Sequence, residues 1–131
     1  MRVVFIIDDL RHEDLCYDLN KVKREDDDVI VLAKDARSAA ITMLQLVEKG
    51  IPIDIIMLDH DLGDGLDVTW FLNWLLGNID SGDVVYIEEP LRWIGPSINN
   101  SQWKIHTSNY GVVQSMKDKI TQIQKWLDMN K

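Results

Sequence analysis

Two short apolar runs each end in a cluster of carboxylates, and this pairing constrains the fold of the chain more than any other feature. Val3-Val4-Phe5-Ile6-Ile7 runs into Asp8-Asp9, and Ile55-Ile56-Met57-Leu58 runs into Asp59-His60-Asp61. Each run is rich in β-branched residues and apolar at successive positions, the pattern of a strand buried on both faces. Side by side in one parallel sheet, the two strands bring their carboxyl ends together, and four acidic side chains share one crevice. Two like charges ~4 Å apart repel by roughly 4 kcal/mol at an effective dielectric of about 20. Such a cluster persists when protons are retained or a cation is bound. A hard divalent cation with oxygen ligands, Mg²⁺ or Mn²⁺, suits it, with Asp8, Asp9, Asp59 and Asp61 as ligands.

The rest of the chain alternates between strand and helix periods. Residues from about Leu10 to Arg24 read as a helix, and Val29 to Ala33 as a second strand. Asp35 is placed to cap a helix that runs through Ala39, Met43 and Val47 and stops at Gly50. Ile53 to Leu58 is strand three. Leu66, Trp70, Phe71, Trp74 and Leu75 follow at helical spacing and end near Gly77. Residues 78–100 read as an irregular excursion: Val84 to Ile87 suit a short strand, while Glu88-Glu89-Pro90 and Gly95-Pro96 break regularity. Trp103 to His106 forms strand four. A last helix starts near Tyr110, with Val113, Met116, Ile120, Ile123 and Leu127 along one face. This alternation predicts a single α/β domain over residues 1–131, an open parallel sheet of flavodoxin-like type with strand order 2-1-3-4. In that order the progression reverses between strands one and three, where ligands bind at the carboxyl ends.

Charge and composition narrow the partners. The net charge of −8 argues against broad nucleic-acid binding, which needs a basic surface, but leaves room for a small anionic ligand or the end of an RNA strand. No stretch is long and apolar enough to span a bilayer, and the chain carries no secretory pattern. The single Cys16 reads as a buried structural thiol in a cytoplasmic protein. Glu25-Asp26-Asp27-Asp28 reads as a solvated turn.

Several residues have two readings each. Asp8-Asp9 serves either as a metal-binding doublet or as a cap before Leu10. His60 is an acid–base group or a packed structural residue. His106-Thr107-Ser108-Asn109 closes strand four and precedes a helix. Hydroxyls and free N–H groups there suit a phosphate, and His106 suits protonation of a leaving oxygen. Read locally, the same segment is a helix cap beside a core histidine. Arg11 either pairs with the acids or grips a phosphate oxygen. The tryptophans are mostly packing residues, although Trp93 and Trp103 flank the excursion and offer stacking faces for a base.

These residues resemble the receiver domain of response regulators. There an acid pair holds magnesium, the aspartate after strand three accepts a phosphoryl group, and a hydroxyl after strand four contacts it. The chain departs from ordinary receivers in lacking a fifth strand ending in lysine. Asp8-Asp9 with Arg11, Asp59-His60-Asp61-Leu62-Gly63 and His106-Thr107-Ser108-Asn109 look more like the cyclic-phosphate-processing receiver-like family of bacteria and phages. The motifs of that family have the forms Asp-Asp-x-Arg, Asp-His-Asp-Leu-Gly and His-Ser-x-Asn, so Thr107 replaces a serine. The resemblance implies a metal-dependent phosphoesterase that opens a cyclic phosphate on a nucleotide or RNA end. Asp59, His60 and His106 would then be catalytic, and Arg11, Thr107, Ser108 and Asn109 would hold the phosphate. Two alternatives are a switch phosphorylated on Asp59 and a protein that sequesters a cyclic nucleotide without cleaving it.

Overall fold

The computed structural model describes residues 1–62, 65–107 and 109–130. Four parallel strands, β1 (Val3–Ile7), β2 (Val29–Ala33), β3 (Ile55–Leu58) and β4 (Gln102–Ile105), form an open sheet in the order β2-β1-β3-β4. Between and after them lie α1 (Glu13–Leu19), α2 (Ala36–Glu48), α3 (Val68–Leu75), α4 (Pro90–Ile98) and α5 (Val113–Met129). The expected order is therefore observed, with the reversal between β1 and β3.

Strand pleating explains why two continuous apolar runs are needed. Phe5 and Ile7 of β1 and Ile56 and Leu58 of β3 point to one face, where α2, α3, α4 and α5 build the larger core. Val4, Ile6, Ile55 and Met57 point to the other, where Cys16 and Tyr17 of α1 cover them. Every residue of β1 and β3 is buried. The two strands that carry the acids are thus the inner pair of the sheet, fixed from both sides.

Local chemistry ends α2 and α3 where the sequence indicates, whereas α1 spans only Glu13–Leu19 and falls short of the expected Leu10 to Arg24 at both ends. Asp35 accepts a hydrogen bond from the Ser38 N–H at 2.7 Å and caps α2. Gly50 and Gly77, at φ 70° and 78°, close α2 and α3 in the left-handed conformation that glycine adopts without strain. Lys21 occupies the same position after α1, at φ 56°, with a side chain that pays the steric cost glycine avoids.

The excursion differs from expectation. No strand forms over 84–87, and Gly95-Pro96 lies within α4 instead of breaking it. Pro90 sits in the first turn, where its missing N–H costs nothing. Gly95 lets the C-terminal part of α5 approach, since a Cβ there would lie 3.2 Å from Leu127 Cδ2. Tertiary packing thereby outweighs the local penalty of Pro96. The indole of Trp74, fully buried, donates to the Val85 carbonyl at 2.8 Å and anchors the preceding turns. The last helix begins later than expected, after a 3-10 turn over Tyr110–Val112.

The rim of the sheet opposite the acids is sealed. The Val3 N–H donates to Asp54 Oδ2 at 2.8 Å, and the Ile53 N–H to the Ser97 carbonyl at 2.8 Å. Asp28 accepts from Arg2 Nε at 2.9 Å and from the Tyr17 hydroxyl at 2.7 Å. The acidic run is therefore more than a solvated turn: Glu25, Asp26 and Asp27 are exposed, but the Asp28 carboxylate is enclosed and ties β1, α1 and β2 together.

Candidate functional site

At the carboxyl rim the ladder continues one step past each strand and holds the acids. The Asp8 N–H donates to the Ala33 carbonyl, the Asp59 N–H to Ile7 and the His106 N–H to Leu58, at 3.1, 2.9 and 2.8 Å. Asp8, Asp9 and Asp59 thereby bring one carboxylate oxygen each within 4.8 Å of one another. Arg11 Nη1 bridges this group, 3.2 Å from Asp8 Oδ2 and 3.2 Å from Asp59 Oδ2.

Asp8 is the most constrained member. Its Oδ1 accepts from the N–H groups of Leu10 and Arg11 at 2.9 and 3.0 Å, so it caps the turn as well as facing the site. Its Oδ2 accepts from Arg11 and lies 2.8 Å from His106 Nε2. Burial pushes its proton affinity up, but the hydrogen bonds from His106, the Arg11 and Leu10 amides and the Arg11 guanidinium outweigh it and hold the carboxyl well below the usual range. Asp59 lacks that wealth of donors. Burial and the Asp8 charge raise its pKa against the pull of Arg11.

Two groups of carboxylates among the described residues supply only oxygens. One of them, Glu25, Asp27 and Asp28, is already paired with Arg2 and the N-terminal ammonium. The other, Asp8, Asp9 and Asp59, fits a hard dication, and Asp9 Oδ1 is buried with no hydrogen-bond partner among the described residues. An acceptor of this kind, out of reach of bulk water, is satisfied by a cation. Asp61, expected as a fourth ligand, lies elsewhere: its exposed carboxylate turns to His60 Nδ1 at 2.8 Å and is not in the three-carboxylate group. The two-residue spacing fails because β3 ends at Leu58, and the chain leaves the strand period before Asp61.

The histidines take different places. His60 lies between two carboxylates, Asp61 Oδ1 at 2.8 Å and Asp67 Oδ2 at 3.2 Å. His106 is enclosed behind the acids. Asn20 Nδ2 lies 2.8 Å from its Nδ1 and also donates to the Cys16 carbonyl, which fixes the amide orientation. His106 Nδ1 is then the acceptor, and Nε2 carries the proton offered to Asp8. Both ring nitrogens are thus engaged inside the protein, and the ring positions Asp8. Cys16 Sγ donates to the same carboxylate at 3.7 Å, and burial pushes the thiol up to about 12, so it remains protonated.

The proposed phosphate-holding residues separate. Arg11 and Thr107 line a groove of about 860 Å³ beside the acids, whereas Asn109 is exposed outside that lining, and Ser108 lies outside the described residues, as does Gly63. Trp103 lines the groove but Trp93 does not; it is exposed on α4, so the two do not wall one pocket. Asn20 and Asp67 are the contributors that sequence reasoning missed. Asp67 carried the signal of a helix cap, which it also is, accepting from the Trp70 N–H at 3.2 Å. Nothing in the local sequence marks Asn20, whose partner is 86 residues away. Comparison with family models, with curated proteins and with solved structures finds no match to this chain.

Proposed function

We propose that this chain is a divalent-metal-dependent phosphoesterase that opens a cyclic phosphate on a nucleotide or at an RNA end. The observation that carries the reading is the set of Asp8, Asp9 and Asp59 oxygens at the reversal point of the sheet, with Arg11 at its rim. Asp8, Asp9 and Asp59 would hold Mg²⁺ or Mn²⁺, which when bound polarises a phosphoryl oxygen and makes water a stronger nucleophile. Arg11 engages Asp8 and Asp59 through Nη1, and its remaining guanidinium donors suit a phosphate oxygen. Thr107 adds a hydroxyl on the groove side of the same rim.

The chemistry adds one water across a P–O ester bond: a phosphomonoester forms, and the leaving oxygen takes a proton. Among the two histidines of the site, His60 is the better source of that proton. Its partners Asp61 and Asp67 lie toward solvent, while the His106 side chain is 1% exposed and committed to Asp8 and Asn20. Asp59 would take the proton from water or attack phosphorus directly, in which case water then hydrolyses the acyl phosphate that forms.

Phosphorus NMR over a panel of 2′,3′- and 3′,5′-cyclic nucleotides, with Mg²⁺, Mn²⁺ and chelator arms, tests the reading. Ring opening is expected only with metal, and Asp59→Asn is expected to slow it by at least about 100-fold. Absence of opening with either ion, or full activity in the variant, would overturn it. A stable acyl-phosphate adduct by mass measurement, without turnover, would make the chain a phospho-acceptor instead.

A further inference from the structure

The groove continues past the acids along the free edge of β4, between α1 and α5, and three independent features of it point to one kind of occupant. The first is an unpaired backbone. The amides of Gln102 and His106 bond toward β3, through Asp54 and Leu58, so the pleat turns the N–H and C=O groups of Trp103 and Ile105 to the open side. β4 is the last strand of the sheet among the described residues, and it presents donors and acceptors in alternation.

The second is apolar surface. Leu15 and Leu19 of α1 are 45% and 48% exposed, and they flank the groove opposite Val113 and Ile120 of α5.

The third is charge. In a chain of net charge −8 the groove lining holds Arg11, Lys21, Lys104 and Lys117 and, among the described residues, no carboxylate. Arg11 is committed to Asp8 and Asp59. The three lysines make no ion pair among the described residues. Lys21 holds its place at φ 56°, where glycine would fit without strain.

We infer that this groove is a docking slot for an extended acidic–aliphatic peptide of a partner protein, which adds a strand to β4. Such a strand lies ~4.8 Å from β4 and alternates its side chains between the two walls. Aliphatic residues meet Leu15, Leu19 and Val113, and carboxylates meet Lys21, Lys104 and Lys117. A peptide edge satisfies both the N–H and the C=O groups of Trp103 and Ile105. Nucleic-acid phosphate oxygens leave those carbonyls facing acceptors, and bases stack on aromatic faces, of which the lining has Trp103 and Tyr110 against the aliphatic Leu15, Leu19, Ile105, Val113 and Ile120. The slot adjoins the proposed substrate site at Arg11 and Thr107, but the β4 edge and the three lysines that define it take no part in the proposed activity.

A display selection on random octapeptides, with the full chain as bait, tests the inference. Enriched sequences are expected to alternate aliphatic residues with Asp or Glu. An enriched peptide is expected to slow hydrogen exchange at the Trp103 and Ile105 amides. The double charge reversal Lys104→Glu/Lys117→Glu is expected to weaken its binding at least about tenfold. Lys21→Gly is expected to weaken it as well while stabilising the fold, which separates loss of binding from loss of structure. The inference is overturned if nothing enriches, if neutral or basic sequences enrich, if the β4 amides stay unprotected, or if binding survives both sets of substitutions. Occupation of the groove by a hexauridylate in place of peptide would overturn it in favour of RNA.

Discussion

Asp8 and Asp59 stand on facing strand ends with opposite electrostatic fates, and the difference comes from donors. Asp8 has two amides, a guanidinium and an imidazole, so its ionised form stabilises the fold. That contribution is present above the ordinary carboxylate pKa and is lost as pH falls toward the depressed value. Asp59 behaves in the opposite sense. Its pKa is raised on folding, so the metal-free protein loses stability as pH rises from the ordinary carboxylate range through the raised value. Asp59→Asn is therefore expected to raise the metal-free Tm at neutral pH and to flatten that part of the pH profile. Added Mg²⁺ should reverse the ranking, because only the wild-type chain gains the stabilisation of binding, about 2.7 kcal/mol at a hundredfold excess over Kd. Thermal melts at several pH values, with and without the ion, check both signs. The doublet Asp8-Asp9 and Asp59 were legible in the sequence because each follows an apolar run whose end is unmistakable. Asp61 was misplaced because a period of two holds only within a strand. The role of His106 was half legible: its position at a strand end was plain, but the amide of Asn20 behind it comes from a distant helix.

At the scale of elements, α1 ends in the hydrogen-bonding pattern that usually recruits glycine, yet Lys21 occupies the left-handed position. The Lys21 N–H bonds the Asp18 carbonyl and the Val22 N–H bonds that of Tyr17, so the turn itself is well made. Lys21→Gly is expected to raise unfolding stability by about 1 kcal/mol, the steric cost removed less the extra freedom of the unfolded chain. Denaturant titration with an unchanged m-value would bear this out, and a loss of stability would show that the lysine side chain packs usefully. Strands and long amphipathic helices were legible, since burial on one or two faces writes its own period. Helix α4 was not. Gly95-Pro96 signals a break when read locally, and only the approach of Leu127 and Trp126 to Gly95 explains why a helix survives there. The late start of α5 was equally hidden, because Tyr110-Gly111-Val112 forms a tighter turn with no buried residue to set a period.

Across the whole molecule, strand order followed from right-handed crossovers and was predictable before any coordinates, and so was the meeting of β1 and β3. No helix among the described residues is long and apolar enough to cross a membrane, in keeping with the absence of any such run in the sequence. The groove beyond β4 was not legible. It is bounded by α1 on one side and by β4 and α5, far along the chain, on the other, and no local pattern announces a space between elements.

The sealed rim formed by Arg2, Asp28, Tyr17 and Asp54 divides genetic consequences along the strand axis. A library of single substitutions, scored once for cellular abundance and once for the proposed ring opening per folded molecule, is expected to segregate by which end of the sheet is altered. Changes at Asp28 or Asp54 deplete the protein and leave the surviving molecules competent. Changes at Asp9 leave abundance near normal and silence them. An even mixture of both phenotypes at the two ends would mean that the scaffold and its task are not separable in this way.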